Sequence, residues 1–459
     1  MTEHQQLQTR LLNFDRPEDV KQAVDWIRQG QVVAFPTETV YGLGADAFNA
    51  EAVLKVFHAK GRPADNPLIV HLSSMDQLPW VVDPKCIDTD AYRRSIEVGR
   101  IFWPGPLSIL FPKLSKIPDV VTAGLSTVVV RIPSNPIAQK LIAASGTPIA
   151  APSANISGRP SPTCVAHVMR DLGGRIPGIV EGGCASVGVE STVVDLFRDP
   201  PAILRPGGVT LEQLLPHVPN LTVFGKHPRP APPVPSTPVA TSPRAHPEAA
   251  VPSTQPASAS AASAPAQGAA PEGHLPTLGE LLTAQRGGAL LAPGETPPTP
   301  GMKYQHYCPE AAVVTFDAAA PPESEPAQCA ALRAAIEGAL RMRFGAGPAP
   351  ASLPAQAQQL IMRADRVGVM LTRNALAAYP ADLRQHPSIF FVQTGPGLAE
   401  VQRSLFQALR AFDSESQVQC ILAEAVPEVA EGLAIMNRLR KATSVLVGLP
   451  DPAAAAAPL

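Results

Sequence analysis

A lysine and an arginine flank a glycine near the start of the segment AKGRPADNPLIVHL, residues 59–72. The helical pattern before this segment would end at Lys60, with Gly61 in the left-handed cap position. A cation in the last helical turn gains about 0.3–1 kcal/mol from the helix dipole, which is enough to account for Lys60 alone. Arg62 lies beyond the cap, where the dipole contributes little, so the pair predicts a binding site for a polyphosphate.

Asn66 and His71 follow on the same segment. In the predicted strand LIVHL, the alternation of side chains puts His71 on the face opposite Val70. Taken alone, a strand histidine is more often a hydrogen-bonded structural group than a ligand contact, because neutral imidazole packs and hydrogen-bonds readily. Both interpretations of His71 stay open on this residue alone.

The segment APSANISGRPSPT, residues 151–163, follows a predicted strand and is rich in short polar side chains. Ser153, Asn155, Ser157 and Ser161 offer hydroxyl and amide groups beside free backbone N–H groups. Such segments are common as ordinary polar loops. The same groups also suit the oxygens of phosphate and ribose, so the loop is a second candidate for the anion site.

Three shorter segments supply weaker candidates. PTET (36–39) directly follows a strand, a Glu-Ser-Thr tripeptide (190–192) precedes one, and LRPGG puts Arg205 at a turn. On the predicted strand TVVVR, Thr127 and Arg131 share one face. An arginine within an apolar strand needs a partner if it is buried, and a carboxylate ligand would provide one.

The segment GLGADA (42–47) matches the G-x-G-x-x-A pattern of dinucleotide-binding turns. That motif requires its first glycine directly after a strand and its end inside a helix. Here PTETVY separates the strand VVAF from the glycines, so nicotinamide binding is not expected. The chain also lacks G-x-x-x-x-G-K-[ST], so a bound nucleotide would not use a P-loop.

Alternating strands and helices would position these candidates. Runs rich in β-branched residues and bounded by glycine or proline predict six strands: QVVAF (31–35), PLIVHL (67–72), LSILF (107–111), TVVVRI (127–132), PIAAPS (148–153) and STVVDL (191–196). Apolar spacing predicts helices over 17–30 and 49–61, with Asn49 as the N-cap of the second. The pattern indicates an α/β domain of about 215 residues.

Residues 227–273 consist mainly of proline, alanine and serine. Such a stretch cannot bury enough apolar area to offset the entropy of ordering it, so it is predicted to be an extended linker. After it, three runs predict strands: RVGVML (366–371), SIFFVQTG (388–395) and QCILAEAV (419–426). Amphipathic spacing predicts helices over 398–413 and 429–442, and this alternation indicates a smaller, mostly parallel sheet.

Composition limits the class of protein. The 459 residues exceed one ordinary core, and the formal net charge is −2, so several domains and no global basic surface for nucleic acid are expected. Six cysteines form no CxxC pair and no zinc-type spacing, which is typical of reduced thiols. Because no apolar secretory core begins the chain and no run reaches about 18 apolar residues, a cytoplasmic protein is expected.

Six motifs, taken together and in order, resemble those of the YrdC-like threonylcarbamoyl-AMP synthase family in its long, two-domain form. They are FPTETVYGLGADA, KGRPADNPLIVHL, WPGPLSILF, RIPSNPIAQKLI, APSANISGRPSPT, and ESTVVDL followed by ILRPGG. The resemblance covers residues 15–215 without a break. PGMKYQHYCPEA (300–311) resembles the interdomain linker of the family, and 312–445 resembles its C-terminal domain.

The resemblance implies four parts of the chain. These are a YrdC-like twisted α/β catalytic domain with a concave cleft (15–220), a low-complexity Pro/Ala/Ser-rich insert (221–299), a linker segment over the active site (300–311) and a C-terminal Rossmann-like α/β domain (312–447). It implies that threonylcarbamoyl-AMP and pyrophosphate are made from L-threonine, bicarbonate and ATP, for threonylcarbamoyladenosine at tRNA position 37. A KEOPS-type tRNA threonylcarbamoyl transferase complex would take the product, and Mg²⁺ would be carried mainly by phosphates.

The functional residues of the family carry over position by position. Its Lys-x-Arg and Ser-x-Asn motifs, implied to be catalytic, fall on Lys60, Arg62, Ser153 and Asn155. The positions implied to contact ATP are Arg62, Asn66, Thr127, Ser153, Ser161, Arg205 and Tyr307. Those implied to form the threonine pocket are Thr39, His71, Arg131, Ala151 (through its backbone) and Ser191. Pairing with the threonine carboxylate would account for the arginine in the predicted strand.

The linker motif KYQHY would bring Lys303, Tyr304, His306 and Tyr307 near the nucleotide as a lid. This chain departs from the family in having Cys308 where alanine is usual, and in the long insert before the motif. Because each doubling of a flexible connection costs only about 0.6 kcal/mol, closure of this linker over the cleft is still expected.

Two other functions stay open. YrdC-like domains are also associated with double-stranded RNA, but the near-neutral charge argues against a nucleic-acid-binding module as the main role. A carbamoyl-transfer domain of the hydrogenase-maturation type would need acylphosphatase-like and zinc-finger-like segments, which are expected upstream of residue 15 and are not found there.

Overall fold

The computed structural model describes residues 7–225, 306–318, 325–344 and 347–449. Within these ranges the chain forms an eleven-stranded sheet and a five-stranded sheet. Most of the predicted Pro/Ala/Ser-rich insert lies outside the described residues, and so do the predicted lid residues Lys303 and Tyr304.

The large sheet is mixed and contains, in chain order, β1 (Arg10–Leu12), β2 (Val33–Phe35), β3 (Gly42–Asp46), β4 (Ile69–His71), β5 (Leu107–Pro112), β6 (Thr127–Arg131), β7 (Ile149–Ala151), β8 (Gly178–Val180), β9 (Thr192–Asp195), β10 (Ala202–Arg205) and β11 (Thr222–Val223). Across the sheet the order is β1-β8-β2-β3-β7-β4-β6-β5-β9-β10-β11. All six strands predicted before the linker are present. β1 and β11 extend the sheet beyond the predicted limits of 15 and 220, and with three and two residues they are too short to show a period.

Helices cover both faces of this sheet. They are α1 (Pro17–Arg28), α2 (Ala50–Lys60), α3 (Asp90–Phe102), α4 (Asp119–Thr122), α5 (Pro136–Ser145), α6 (Val165–Leu172) and α7 (Leu211–Leu214). Alternate residues of β2 enter different cores: Val33 and Phe35 pack with α1 and α5, whereas Ala34 packs with α2, α3 and α6. The sheet is therefore buried between two helical layers, as expected of an α/β domain.

The two ends of α2 are as predicted. The Asn49 side chain accepts a hydrogen bond from the Ala52 amide at 3.1 Å, and Gly61 adopts the left-handed conformation with φ 61°. A Cβ atom on Gly61 would meet nothing within 4 Å, so the positive φ is the reason for glycine here. The cap turns the chain sharply between Lys60 and Arg62.

The small sheet is entirely parallel, in the order β14-β13-β15-β12-β16. Its strands are β12 (Ala312–Ala318), β13 (Val367–Leu371), β14 (Ile389–Gln393), β15 (Cys420–Glu424) and β16 (Val445–Leu449). Its helices are α8 (Glu325–Arg343), α9 (Ala355–Arg363), α10 (Ala381–Arg384), α11 (Leu398–Ala411) and α12 (Glu431–Ala442). The three strands and two helices predicted after the linker are confirmed.

An apolar core joins the two sheet regions. Val40 and Val189, which belong to loops of the large-sheet region, are buried in one cluster with Tyr307, Phe406 on α11 and Leu439 on α12. α11 and α12 therefore pack directly against loops of the first region.

Membrane-spanning helices and disulfide bonds were two subjects of the sequence predictions. Among the described residues, no helix combines the length and the apolar character that a bilayer crossing requires. All six cysteines lie in the described ranges, and each is a free thiol.

Candidate active site

A cleft opens among the loops that follow β2, β7 and β10 and the segment at 306–307. Most of the predicted site residues line it: Thr39, Lys60, Arg62, His71, Arg131, Ala151, Ser153, Asn155, Ser161, Ser191, Arg205, His306 and Tyr307. Asn66 and Thr127 do not line it. Residues from distant parts of the chain thus converge on one cavity.

Lys60 lines the cleft, but its amine holds the neighbouring loop. The side chain is buried, and Nζ donates to the carbonyl oxygens of Ser153 and Asn155, each at 2.5 Å, with Asn155 Oδ1 at 3.4 Å. Because an ammonium group has three N–H donors, these oxygens occupy them. Burial, followed by the nearby Arg62 charge, lowers the pKa of Lys60 well below its usual value. The Lys60 amine thus supports the loop in this structure, and its direct phosphate contact stays a prediction.

The Ser153–Asn155 loop is held by its own hydrogen bonds as well. Ser153 Oγ donates to Asn155 Oδ1 at 2.5 Å, and Asn155 Nδ2 donates to the carbonyl oxygens of Ile156 and Arg159 at 2.8 and 2.9 Å. The Ser157 amide donates to the Lys60 carbonyl at 2.9 Å. The loop is therefore fixed from several sides, which favours a preorganised binding site over an ordinary surface loop.

Arg62 and Asn66 share the turn after α2. Arg62 Nη2 donates to the carbonyl oxygens of Asn66 and Pro67 at 3.3 and 3.2 Å. The Asn66 side chain is fully buried, and neither its amide nitrogen nor its amide oxygen has a hydrogen-bond partner among the described residues. Unpaired buried amides are costly, so Asn66 is suited to a polar ligand although it does not line the cleft. Thr127 opens β6 half-buried, and nothing in this geometry brings it to the cleft.

Arg131 has partners within the protein that the sequence did not reveal. Its side chain is buried, and Nη2 donates to Glu38 Oε1 at 2.6 Å, Nη1 to Thr39 Oγ1 at 2.8 Å and Nε to the Gly105 carbonyl at 3.2 Å. Burial acts to raise the pKa of Glu38, but the Arg131 charge and hydrogen bond hold that pKa below its ordinary value. A threonine carboxylate is therefore not needed to explain the buried arginine, because Glu38, within the PTET motif, already balances it.

His71 lies opposite Arg131 across the β4–β6 pair and next to β7, where Ala151 lines the same cleft. Its Nδ1 atom is 3.2 Å from the carbonyl oxygen of Ile69. Burial, followed by the Arg131 charge, lowers the pKa of His71 to about 3, so the imidazole is neutral at physiological pH. The two interpretations of this histidine are thus compatible, since it is both hydrogen-bonded to the backbone and part of the cleft wall.

Arg205 and Ser191 form another part of the wall. Arg205 Nη2 donates to the Ser191 carbonyl at 2.9 Å and to Ser191 Oγ at 3.2 Å. The Ser191 hydroxyl lies 2.7 Å from that of Ser108. Burial lowers the pKa of the Arg205 guanidinium from its usual value. Arg205 therefore lines the cleft and also fixes the segment that carries Ser191.

Glu190, from a tripeptide that the sequence offered only as a weak candidate, pairs in the cleft wall with Arg438, which the sequence did not point to. Glu190 lines the cleft, where Oε1 accepts a hydrogen bond from Ser161 Oγ at 2.5 Å and Oε2 accepts two from Arg438 at 3.0 Å. Burial acts to raise the pKa of Glu190, but the charges of Arg438 and Arg205 and the Ser161 bond hold it below its ordinary value. Arg438 lies 248 residues further along the chain, on α12, so no local pattern linked it to Glu190.

The described end of the predicted lid lies in the cleft. His306 and Tyr307 both line it, and the Cys308 amide donates to the Gly158 carbonyl at 2.8 Å. The Tyr307 ring packs on Phe406 with centroids 5.1 Å apart. Burial, followed by the Arg62 charge, lowers the pKa of His306 to about 3. Cys308 thus anchors the linker through its backbone, a contact that alanine in its place would also make.

The described residues do not fit a metal ion held by the protein. Among them, no group of three or more histidine, cysteine, aspartate or glutamate side chains is arranged as a metal site. The Glu190 carboxylate in the cleft is already occupied by Ser161 and Arg438. The cleft offers fixed cations, hydroxyl groups and backbone donors, which suit the oxygens of a carboxylate and a polyphosphate.

Two family models match separate parts of the chain. Residues 25–207 match the Sua5–YciO–YrdC family model, described as telomere recombination, and residues 276–444 match the model described as the threonylcarbamoyl-AMP synthase C-terminal domain. The crystal structure of Pyrococcus abyssi Sua5 complexed with L-threonine superposes with a TM-score of 0.67 at 34% identity, covering 96% of this chain and 100% of that one.

Curated relatives extend over nearly the whole chain. Threonylcarbamoyl-AMP synthases from Pyrococcus abyssi and Bacillus subtilis are 37% and 36% identical, each covering 92% of this chain and 94% and 92% of their own lengths. The synthase of Schizosaccharomyces pombe is 33% identical over 98% of this chain and 99% of its own length. The chain therefore belongs to the threonylcarbamoyl-AMP synthase family, in the form that has both a YrdC-like and a Sua5 C-terminal domain.

Proposed function

We propose that this protein is an L-threonylcarbamoyladenylate synthase, a nucleotidyltransferase that forms threonylcarbamoyl-AMP and pyrophosphate from L-threonine, bicarbonate and ATP. The observation that carries the proposal is the convergence of the family's motif residues on one cleft, whose lining includes Lys60, Arg62, Ser153 and Asn155. The L-threonine complex of the Pyrococcus abyssi relative supports threonine as the amino acid.

The first step of the proposed reaction joins threonine and bicarbonate. The neutral amine attacks the bicarbonate carbon, a C–N bond forms, and water leaves to give the N-carboxylate. His71 and Arg131 line the part of the cleft proposed for threonine. The neutral His71 ring adds no positive charge beside the threonine amine, and Arg131 holds Thr39 in the wall of this part of the cleft.

In the second step the new carboxylate oxygen attacks the α-phosphorus of ATP and the bond to pyrophosphate breaks. Negative charge builds up on phosphoryl oxygens, so fixed cations and N–H donors lower the barrier. Arg62 and Arg205 are the cations that line the proposed nucleotide end, and the loop fixed by Lys60 offers Ser153 and backbone groups. No protein nucleophile takes part in this scheme.

The linker residues would protect the adenylate product from hydrolysis. A mixed carbamic–phosphoric anhydride is easily hydrolysed, so exclusion of water from the cleft preserves it. His306 and Tyr307 are buried in the cleft wall, where they restrict access from solvent.

Three finer statements belong to the proposal. Mg²⁺ would enter with ATP, bound mainly to phosphate oxygens and water. The adenylate would pass to a KEOPS-type tRNA threonylcarbamoyl transferase complex. The reaction would take place in the cytoplasm, where free thiols such as the six found here stay reduced. Conversion of tRNA by the purified transferase complex, with this protein as the source of adenylate, tests the partner directly.

Pyrophosphate release tests the reaction. The purified chain is supplied with ATP, L-threonine and bicarbonate, and pyrophosphate is measured with each substrate left out in turn. Release is expected to depend on both threonine and bicarbonate, and mass spectrometry should detect threonylcarbamoyl-AMP. Release that continues without threonine or without bicarbonate would contradict the proposed function.

A further inference from the structure

Arg438 is a fully buried arginine at the junction of the two sheet regions. It lies on α12, and its side chain is among the largest in the described residues that are fully buried. Burying an unpaired guanidinium would cost much free energy, so Arg438 can be buried only because it has partners inside the protein. These contacts reach three separate segments of the cleft wall.

The first contact runs through Glu190 to Ser161. Two nitrogens of Arg438 donate to Glu190 Oε2, and Ser161 Oγ donates its proton to Glu190 Oε1. A hydroxyl has one proton to donate, so the Ser161 oxygen is left as an acceptor. It therefore suits the hydroxyl or amino groups of a nucleoside, which can donate.

The second contact reaches the turn after β10. Arg438 Nη1 donates to the Pro206 carbonyl, directly after Arg205. This turn is packed closely on the Glu190 segment, because the Gly208 amide donates to the Glu190 carbonyl at 3.1 Å and a Cβ on Gly207 would lie 2.3 Å from that carbonyl. Arg438 thus fixes the turn that carries Arg205.

The third contact is with the linker. The guanidinium carbon of Arg438 lies 5.8 Å from the centroid of the Tyr307 ring, a cation–π arrangement. Tyr307 has φ 68°, an uncommon conformation for a residue other than glycine, so it needs support from its surroundings. Arg438 and Phe406, both outside the large-sheet region, provide that support.

We propose that Arg438 is a positioning residue for ATP: it locks Ser161, Arg205 and Tyr307 into one wall at the nucleotide end of the cleft. The inference rests on the proposed function and assigns a task to the C-terminal domain. Four of the five threonine-pocket residues, Thr39, His71, Arg131 and Ala151, have no contact with Arg438 among the hydrogen bonds and ring contacts described above. The fifth, Ser191, is linked to Arg438 only indirectly, through Glu190 and Arg205, and its hydroxyl also lies 2.7 Å from that of Ser108. Loss of Arg438 is therefore expected to weaken ATP binding much more than threonine binding.

Calorimetry on the full-length chain tests this selectivity. Arg438→Met keeps the apolar stem of the side chain and removes its charge and donors. We expect the Kd for ATP to rise at least tenfold, and the Kd for L-threonine to stay within twofold of the wild type. An unchanged Kd for ATP, or an equal loss of affinity for both ligands, would overturn the proposal.

Two further variants keep the test decisive if Arg438→Met folds poorly. Arg438→Lys keeps one charge near Glu190 but loses the planar fork, so it should bind ATP with intermediate affinity and threonine normally. Arg403→Met is the matched control, because Arg403 lies on α11, is exposed and donates across the junction to the Ser186 carbonyl at 3.1 Å, outside the cleft. Wild-type ATP affinity in Arg438→Lys, or a loss in Arg403→Met as large as in the Arg438 variants, would also reject the proposal.

The pyrophosphate assay separates this inference from the proposed function. If the wild-type chain releases no pyrophosphate with threonine and bicarbonate, the proposed function fails. If it does, and ATP affinity does not depend on Arg438, the inference alone fails.

Discussion

Lys60 and Arg62 are two residues apart in the sequence, yet their side chains have different roles. The Lys60 amine is occupied by three oxygens of the Ser153–Asn155 loop, whereas Arg62 lines the cleft from the turn after α2. A buried ammonium without these oxygens would be costly, so Lys60 and the loop stabilise each other. Charge on the phosphates is therefore assigned mainly to Arg62.

Replacement of Arg62 with alanine tests that assignment. Arg62→Ala should lower turnover more than tenfold, which corresponds to about 1.4 kcal/mol of barrier, because a cation beside the developing phosphoryl charge is lost. Arg62→Lys should fall between alanine and the wild type, since it keeps the charge without the fork. Steady-state pyrophosphate release measures the effect, with circular dichroism to check folding. Turnover of Arg62→Ala within twofold of the wild type would exclude Arg62 from the phosphate site.

For individual site residues, the sequence predicts those that lie within one contiguous motif. Ser153, Asn155 and Arg205 were each found from a local pattern, and they line the cleft. Glu38 and Glu190 were visible as carboxylates in polar segments, but their partners Arg131 and Arg438 are 93 and 248 residues away. Pairing over such separations depends on the fold, which no local spacing encodes.

Helix α2 links local structure to the site, because its C-cap sets the direction of Arg62. Gly61→Ala puts a side chain at φ 61°, where an L-residue costs about 1–2 kcal/mol. We expect a lower melting temperature and, because the turn relaxes, at least a threefold loss of turnover.

Gly146 offers the matched control for that variant. It caps α5 in the same left-handed conformation, with φ 71°, and does not line the cleft. Gly146→Ala should lose similar stability and keep wild-type turnover. Equal turnover in the two variants would show that the cap geometry at Gly61 does not matter to the site.

The turn after α11 makes stability depend on pH. Asp413 accepts a hydrogen bond from the Glu310 amide at 2.9 Å, and burial raises its pKa from 3.8 to about 6. Between those values the folded state binds a proton that the unfolded state does not, so the charged form destabilises the fold above about pH 6 and this cost fades toward pH 4.

Asp413→Asn removes that charge and keeps the acceptor oxygen. Its melting temperature should exceed that of the wild type at pH 8, and the difference should shrink as the pH falls to 5. The control is Asp88→Asn, at an exposed carboxylate, and the difference for Asp413→Asn is measured relative to it. A difference for Asp413→Asn that stays constant or grows toward pH 5 would contradict the assigned sign.

Strands and helices were predictable where composition and period agree. β6 and β9 are β-branched runs, and α2 has a side-chain cap at one end and a glycine at the other. β3 was not predicted as a strand, because its GLGAD sequence is poor in strand formers. Its glycines are explained by packing, since a Cβ on Gly44 would lie 2.6 Å from Ile149 and 2.7 Å from Phe35.

The packing of the small-sheet region against the large-sheet region could not be predicted from the sequence. The linker motif predicted a lid, but the patterns of α11 and α12 predicted only amphipathic helices. In the structure Arg410 and Arg438 from these helices are buried against Asp171 and Glu190. A polar residue within a helical pattern gives no sign of whether solvent or another domain will cover it.

The buried pair of Arg410 and Asp171 should couple the stability of the two regions. Arg410 Nη2 lies 2.7 Å from Asp171 Oδ2, with side chains 4% and 0% exposed, and it also donates to the Pro160 carbonyl. Loss of one partner leaves a buried charge and is expected to cost about 3–5 kcal/mol. Arg410→Met and Asp171→Asn should each lower the urea midpoint strongly, whereas the double variant should lose less than the sum of the two. If the two losses in urea midpoint simply add, the pair does not couple the two regions. If they do not add, and the exposed Arg403→Met control keeps a midpoint near that of the wild type, the coupling comes from this ion pair and not from the junction as a whole.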